Sequence, residues 1–181
     1  MKKILFAFVV GIIPSLALLN QNYAQGPRMV TSAVSMDQFF SDFNTAFLDK
    51  STPVNKIDVN KKILKKFDRN YKVSEVKWFE VKDGIVANFI SDGKSNNIFY
   101  DNKGHWAASL KSYTPDHLKP VITNMVKKEY PNYKIDYAHE IETTDDISQP
   151  THVVIIQNSN GCKWIRINDG KMDVYKEFDL N

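Results

Sequence analysis

The side chains able to do chemistry are few and scattered. Four histidines, His105, His117, His139 and His152, stand 12 or more residues apart, too far for the close spacing by which one helix presents two imidazoles to zinc. Cys162 is the only cysteine, which rules out an intramolecular disulfide. A catalytic thiol needs a neighbouring imidazole or other positive charge. Ser159-Asn160-Gly161-Cys162 instead reads as a turn entering a strand, where a lone cysteine packs as a small side chain. Glu140, Glu142, Asp145 and Asp146 form an acidic stretch without the glycine that gives a calcium loop its sharp turn, so it reads as a solvated loop. Asp101-Asn102-Lys103-Gly104 has calcium-like residue types but sits between apolar runs as a hairpin turn. Glycine-rich phosphate loops, nucleophile elbows, His-Glu-x-x-His pairs and Cys-x-x-Cys pairs are missing. These residues name no catalytic group, no metal ligand and no cofactor. A small enzyme would have to gather His and carboxylate groups from distant positions, and a small-ligand carrier would need an apolar cavity.

The tryptophans carry the positive sign of a binding surface. In the run from Val73 to Val81, alternation puts Val76, Trp78 and Glu80 on one side and Lys77, Phe79 and Val81 on the other, so both sides are partly apolar. A sheet with helices on one face leaves the other to water or to a partner. Trp78, Trp106 and Trp164 are accordingly candidate anchors for a protein partner, the alternative being core positions under the helices.

The elements that must position them alternate in period. A helix is expected from Ser35, where Gln38 completes a capping box and Met36, Phe39, Phe40, Phe43 and Phe47 form an aromatic face. Ser51-Thr52-Pro53 breaks it. A second helix runs from about Val59, with Val59, Ile63, Phe67 and Tyr71 at steps of four and Lys61, Lys62, Lys65 and Lys66 on its solvated face. A third opens with Thr114 as N-cap, Pro115 and Asp116, buries Leu118, Val121, Ile122, Met125, Val126 and Tyr130, and stops at Pro131. Strands are expected over 73–81, 85–91, 97–100 and 105–112 after the second helix. After the third they are expected over 133–141, 152–158, 163–167 and 171–178, with 142–150 as a loop. Turns this short permit only antiparallel neighbours. The expected fold is α+β: tandem helix-plus-four-strand repeats, 59–113 and 114–181, forming an antiparallel sheet with helices packed on one face. Residues 25–58 precede them as a segment with one helix.

Residues 1–24 read as a secretory signal peptide: Lys2 and Lys3, an apolar run from Ile4 to Leu19, then a polar stretch ending at Ala24. The run falls short of the roughly 20 residues that span a bilayer and contains Pro14. Formal charge is +3, from 24 basic and 21 acidic residues. Lys2 and Lys3 are the signal's only charges, so the remaining chain carries 22 basic against 21 acidic residues, or +1. About 157 residues remain, enough for one ordinary domain. A near-neutral exported chain has no electrostatic footprint for nucleic acid, and stable membrane insertion is not expected after cleavage. Its expected place is the periplasm or the secreted fraction, and its expected partner another exported protein.

Phe67 before a tyrosine, Val76-Lys77-Trp78, Ala87-Asn88-Phe89 and Tyr100-Asp101-Asn102-Lys103-Gly104-His105-Trp106, followed by the helix and Tyr-Pro end within 118–137, resemble the PepSY-like exported bacterial proteins. The resemblance runs from Val59 to the C-terminus. It implies a fold similar to that of the β-lactamase-inhibitor protein and a non-catalytic binding or inhibitory role, and it carries over no catalytic residue.

Overall fold

Ile63 and Phe67 are the buried stripe of the first helix, α1, Lys61–Asn70, and Val59, two residues before it, is buried with them. Asn60 caps it by accepting from the Lys62 amide at 2.8 Å, which satisfies one of the donors a helix start leaves free. The computed structural model describes residues 51–81, 83–144 and 146–179; the expected signal segment 1–24 and the helix expected from Ser35 lie outside them. Among the described residues nine strands hydrogen-bond in chain order: β1 Thr52–Val54, β2 Lys77–Val81, β3 Gly84–Ser91, β4 Lys94–Asp101, β5 Trp106–Tyr113, β6 Lys134–Thr143, β7 Asp146–Gln157, β8 Gly161–Asn168 and β9 Lys171–Asp179.

The chain divides into two units. One holds the described residues up to Phe89 with Asn97–Ala108; the other holds Ile90–Asn96 and the described residues from Ser109 on. In the first, α1 packs on Trp78, Ala87, Phe89, Ile98 and Tyr100. The Phe67 ring meets Trp78 edge-on at 5.1 Å and Phe89 at 5.4 Å, a favoured aromatic geometry. Two of the four α1 lysines do more than face water: Lys62 Nζ donates to the Lys103 carbonyl at 3.0 Å and Lys66 Nζ to that of Gly104 at 2.8 Å. Asp101 closes the same turn by accepting from the amides of Lys103 and His105 and meeting the His105 ring at 3.0 Å. Burial works to raise its carboxyl, but these bonds and the nearby imidazole hold it below the usual range.

In the second unit, Tyr113, Leu118, Ile122, Val126, Ile135, Ala138, Val154, Ile156, Ile165 and Ile167 make one core under α2, Pro120–Glu129. The helix expected from Thr114 is broken there. Pro115–His117 is a single 3-10 turn, and Lys119 is extended at φ −57°, ψ 134°, because a residue before proline is pushed out of the helical region. The helix restarts at Pro120. Thr114 bonds the Asp116 carboxylate rather than a helix amide, and Val121, expected inside, is 61% exposed.

The α+β expectation of tandem helix-plus-four-strand repeats is overturned. The described residues form predominantly a nine-stranded antiparallel sheet with only two α helices, of ten residues each. The sheet took what was expected to be loop. β1 pairs with β2 through Thr52↔Glu80 and Val54↔Trp78, β4 begins at Lys94, and the expected 142–150 loop is drawn into a long β6–β7 hairpin paired as far as Thr143↔Asp146. Two hairpins close on Asp-Gly with both residues at positive φ, Asp92 and Gly93 at 51° and 70°, Asp169 and Gly170 at 48° and 69°. That is the turn whose twist matches paired strands.

Candidate functional site

The Asp169-Gly170 turn sets the register of β8 and β9, with Asn168↔Lys171, Arg166↔Asp173 and Ile165↔Val174. A bulge follows, so that Trp164 faces Lys176 and Tyr175 is the extra residue. The result is an aromatic and cationic ladder on one side of the hairpin. Trp164 lies 6.5 Å from Tyr175 and 6.1 Å from Phe178. The Lys176 ammonium stands 5.7 Å from the Trp164 centroid and 5.3 Å from that of Tyr175, within reach of a cation–π attraction. Arg166 sits 5.8 Å from the Tyr175 ring and grips Asp173 through Nε at 3.0 Å and Nη2 at 2.8 Å. All four of Trp164, Tyr175, Lys176 and Phe178 are half-buried. β9 is the last strand of the order, and its Lys171, Asp173, Val174, Glu177 and Asp179 are exposed.

A second constellation lies inside the same unit. Lys111 Nζ bonds Glu140 Oε1 at 2.7 Å and Glu142 Oε1 at 3.1 Å, and Ser109 donates to Glu142 Oε2 at 2.7 Å. His152 Nδ1 is 4.0 Å from Glu140 Oε2 and 3.4 Å from the Tyr113 hydroxyl. Burial pushes Glu140 up, but the bonded Lys111 ammonium holds it below the ordinary carboxylate range. Lys111 is held up by the two carboxylates against its own burial. His152 is pushed down by burial despite Glu140. A Glu140 held low by the cation it is bonded to is a poor proton acceptor, and at 4.0 Å it does not orient the imidazole for general-base work. The arrangement is chemically a closed ion network.

The three tryptophans have separate fates. Trp78 is buried in the α1 core at 3% exposure, and its Nε1–H has no acceptor among the described residues. Trp106 packs half-buried against that core, and Trp164 stands in the β8–β9 ladder. Among the histidines, His105 closes its turn, His117 meets Asp116 at 3.3 Å, and His139 shares 2.9 Å with Ser112 Oγ and is pushed down to about 4 by burial. Cys162 is half-buried and its thiol is pushed up by burial, with Asp136 adding to the effect, the opposite of an activated nucleophile. Glu140 and Glu142 of the acidic stretch turn to Lys111. No group of three His, Cys, Asp or Glu side chains among the described residues is arranged to hold a metal ion. Sequence reasoning missed Arg166, Tyr175 and Lys176. Counting back from the Asn168↔Lys171 turn would place Tyr175 against Trp164; only the bulge brings in Lys176.

No family model matches the chain, and no curated protein does. Solved structures match in fold. A DUF2874 family protein from Bacteroides ovatus ATCC 8483 is 20% identical, with TM-score 0.54 over 67% of this chain and 87% of that one. A BLIP-like protein from Bacteroides fragilis NCTC 9343 is 18% identical, with TM-score 0.54 over 67% and 86%. A candidate periplasmic protein from Bacteroides eggerthii DSM 20697 is 13% identical, with TM-score 0.52 over 67% and 88%. The fold is therefore BLIP-like.

Proposed function

We propose that this chain is an exported, non-catalytic module of the cell envelope that binds another exported protein through the outer side of the β8–β9 hairpin. The observation that carries the reading is the ladder of Trp164, Tyr175 and Phe178 interleaved with Arg166 and Lys176 on a terminal strand. Trp, Tyr and Arg are the residue types that dominate binding energy at protein interfaces, and rigid aromatics lose little entropy on contact. The cations favour a partner offering carboxylates beside apolar groups. The BLIP-like fold and a candidate periplasmic neighbour support the envelope assignment, as does the signal-like segment 1–24; no helix among the described residues is long and apolar enough to cross a membrane. The PepSY-like relationship is part of the same proposal.

A pull-down from envelope extract tests it. Wild type retains a discrete partner, and Trp164→Ala with Tyr175→Ala loses at least tenfold of it. Recovery of nothing at any salt concentration, or equal recovery by the variant, overturns the reading.

A further inference from the structure

Charge in this near-neutral chain is unevenly placed. Between Lys56 and Lys72 stand six lysines and Arg69 against Asp58 and Asp68, a net +5, while the rest of residues 25–181 carries 15 basic and 19 acidic residues, a net −4. α1 alone holds five of those cations. Lys61, Lys65 and Arg69 recur at steps of four, as do Lys62 and Lys66, so like charges neighbour one another along the helix and weaken it. The first turn has no acidic residue. Lys61 and Lys62 occupy it instead, at the end where the helix dipole favours negative charge. In α2 the order is the favourable one, with Lys127 and Lys128 in the last turn. α1 therefore forms through its buried Ile63 and Phe67 and against the preference of its outer side. Among the described residues the stretch holds one ion pair, Lys56 with Asp68 at 3.7 Å. Lys62 and Lys66 bond carbonyl oxygens, which leaves their charge uncancelled. A local rule broken on an exposed side is a sign of function.

We propose that the outer side of α1, with the 3-10 turn Lys56–Asp58 before it, docks on a bilayer surface of anionic phospholipid. Three observations favour lipid over an acidic protein. Six of the seven cations are lysines, compact hydrated charges that suit a diffuse field of phosphates, whereas arginine grips the carboxylates of a protein partner and lysine is depleted at protein interfaces. The aromatic rings of the helix and its C-cap, Phe67 and Tyr71, pack on each other at 5.0 Å in the core rather than standing outward as anchors. Ile57 is 89% exposed in a turn with no buried residue, and the Lys56–Asp68 pair holds that turn beside the lysine rows. An aliphatic side chain displayed among lysines enters the headgroup region while the ammonium groups meet phosphates. The contact is reversible adsorption: the apolar side of α1 stays in the core and no segment inserts. Each cation near such a surface contributes roughly fivefold in partition, so a few of them keep an exported module at the membrane.

Co-sedimentation of the chain purified after export with lipid vesicles tests the proposal. At low salt the chain is expected to pellet with vesicles of phosphatidylglycerol and phosphatidylcholine in equal parts, and to stay in solution with phosphatidylcholine alone. Raising salt to about 1 M, where charges are screened beyond about 3 Å, is expected to release most of it. Lys61→Gln, Lys65→Gln and Arg69→Gln together are expected to weaken binding at least tenfold without lowering the thermal midpoint, because they remove repulsion from an exposed side. Lys65→Gln with Lys72→Gln serves in their place if the triple variant does not fold. Ile57→Ser is expected to weaken binding about fivefold through lost apolar contact. Equal pelleting with both kinds of vesicle, or unchanged binding by the lysine variants, overturns the proposal. Binding indifferent to Ile57→Ser, with soluble polyglutamate held as tightly as the anionic vesicles, overturns it in favour of an acidic protein.

Discussion

Lys176 stands across the β8–β9 ladder from Trp164 and holds its ammonium 5.7 Å from the indole centroid. The pairing exists because the bulge after Ile165 inserts Tyr175, placing one cation between two rings rather than beside one. Such a contact at a partly solvated site is worth about 0.5–1 kcal/mol. Lys176→Met is therefore expected to cost no more than about 1 kcal/mol in urea unfolding while weakening partner capture, which separates recognition from folding.

Lys111 answers two carboxylates, so its removal leaves Glu140 and Glu142 facing each other without their bonded ammonium. Breaking a fully buried pair costs about 3–5 kcal/mol. Lys111 retains 27% side-chain exposure, and water screens part of the loss. Lys111→Met is expected to destabilise by about 2 kcal/mol in denaturant unfolding. Adding Glu140→Gln, which removes the charge left without its partner, is expected to recover part of the loss.

His139 gives the fold an acid limit. Its pKa falls from an ordinary 6.5 to about 4 through burial, so the unfolded chain takes up a proton first as pH drops. Stability attached to this group is complete above about 6.5 and declines from there to about 4. Buried His152 shifts in the same direction, whereas Glu140, held low by Lys111, loses its contribution only as pH falls through its depressed folded value. His139→Gln is expected to flatten the stability profile between pH 6.5 and 4, read as urea midpoints across that range. An unchanged slope would remove His139 from the account.

Gly84 and Gly170 separate space from conformation. A Cβ on Gly84 would stand 1.9 Å from the Tyr100 carbonyl oxygen, whereas one on Gly170 meets nothing within 4 Å but requires φ of 69°. Gly84→Ala must push two paired strands apart and is expected to cost about 3 kcal/mol, the upper range for overpacking. Gly170→Ala meets only backbone strain, about 1–2 kcal/mol. Thermal unfolding of the two variants is expected to rank them in that order.

What the sequence reveals about the fold follows the range of the interactions involved. Ile63 and Phe67 declare their helix by spacing, and Asp92-Gly93 and Asp169-Gly170 declare their turns by the backbone angles they require, so most strands are readable. The extent of the sheet is less so. Glu140 and Glu142 look solvated because their charges are visible and their partner is not: Lys111 lies 29 and 31 residues away along the chain. Thr114-Pro115 resembles a helix start until Pro120 is weighed against it. Trp164 is readable as a candidate anchor, but its ladder depends on a one-residue bulge that alternation does not foretell. Trp78 looks the same in sequence and is core, because only packing tells which face α1 takes.

The most direct test of a protein-binding hairpin is photo-cross-linking in living cells. A photoreactive residue at Val174, which is 42% exposed on β9, is compared with one at Ile57, 89% exposed in the first unit. The account predicts a discrete adduct from Val174 that disappears with Trp164→Ala and is absent from Ile57. No adduct from Val174, or one indifferent to Trp164→Ala, would contradict it.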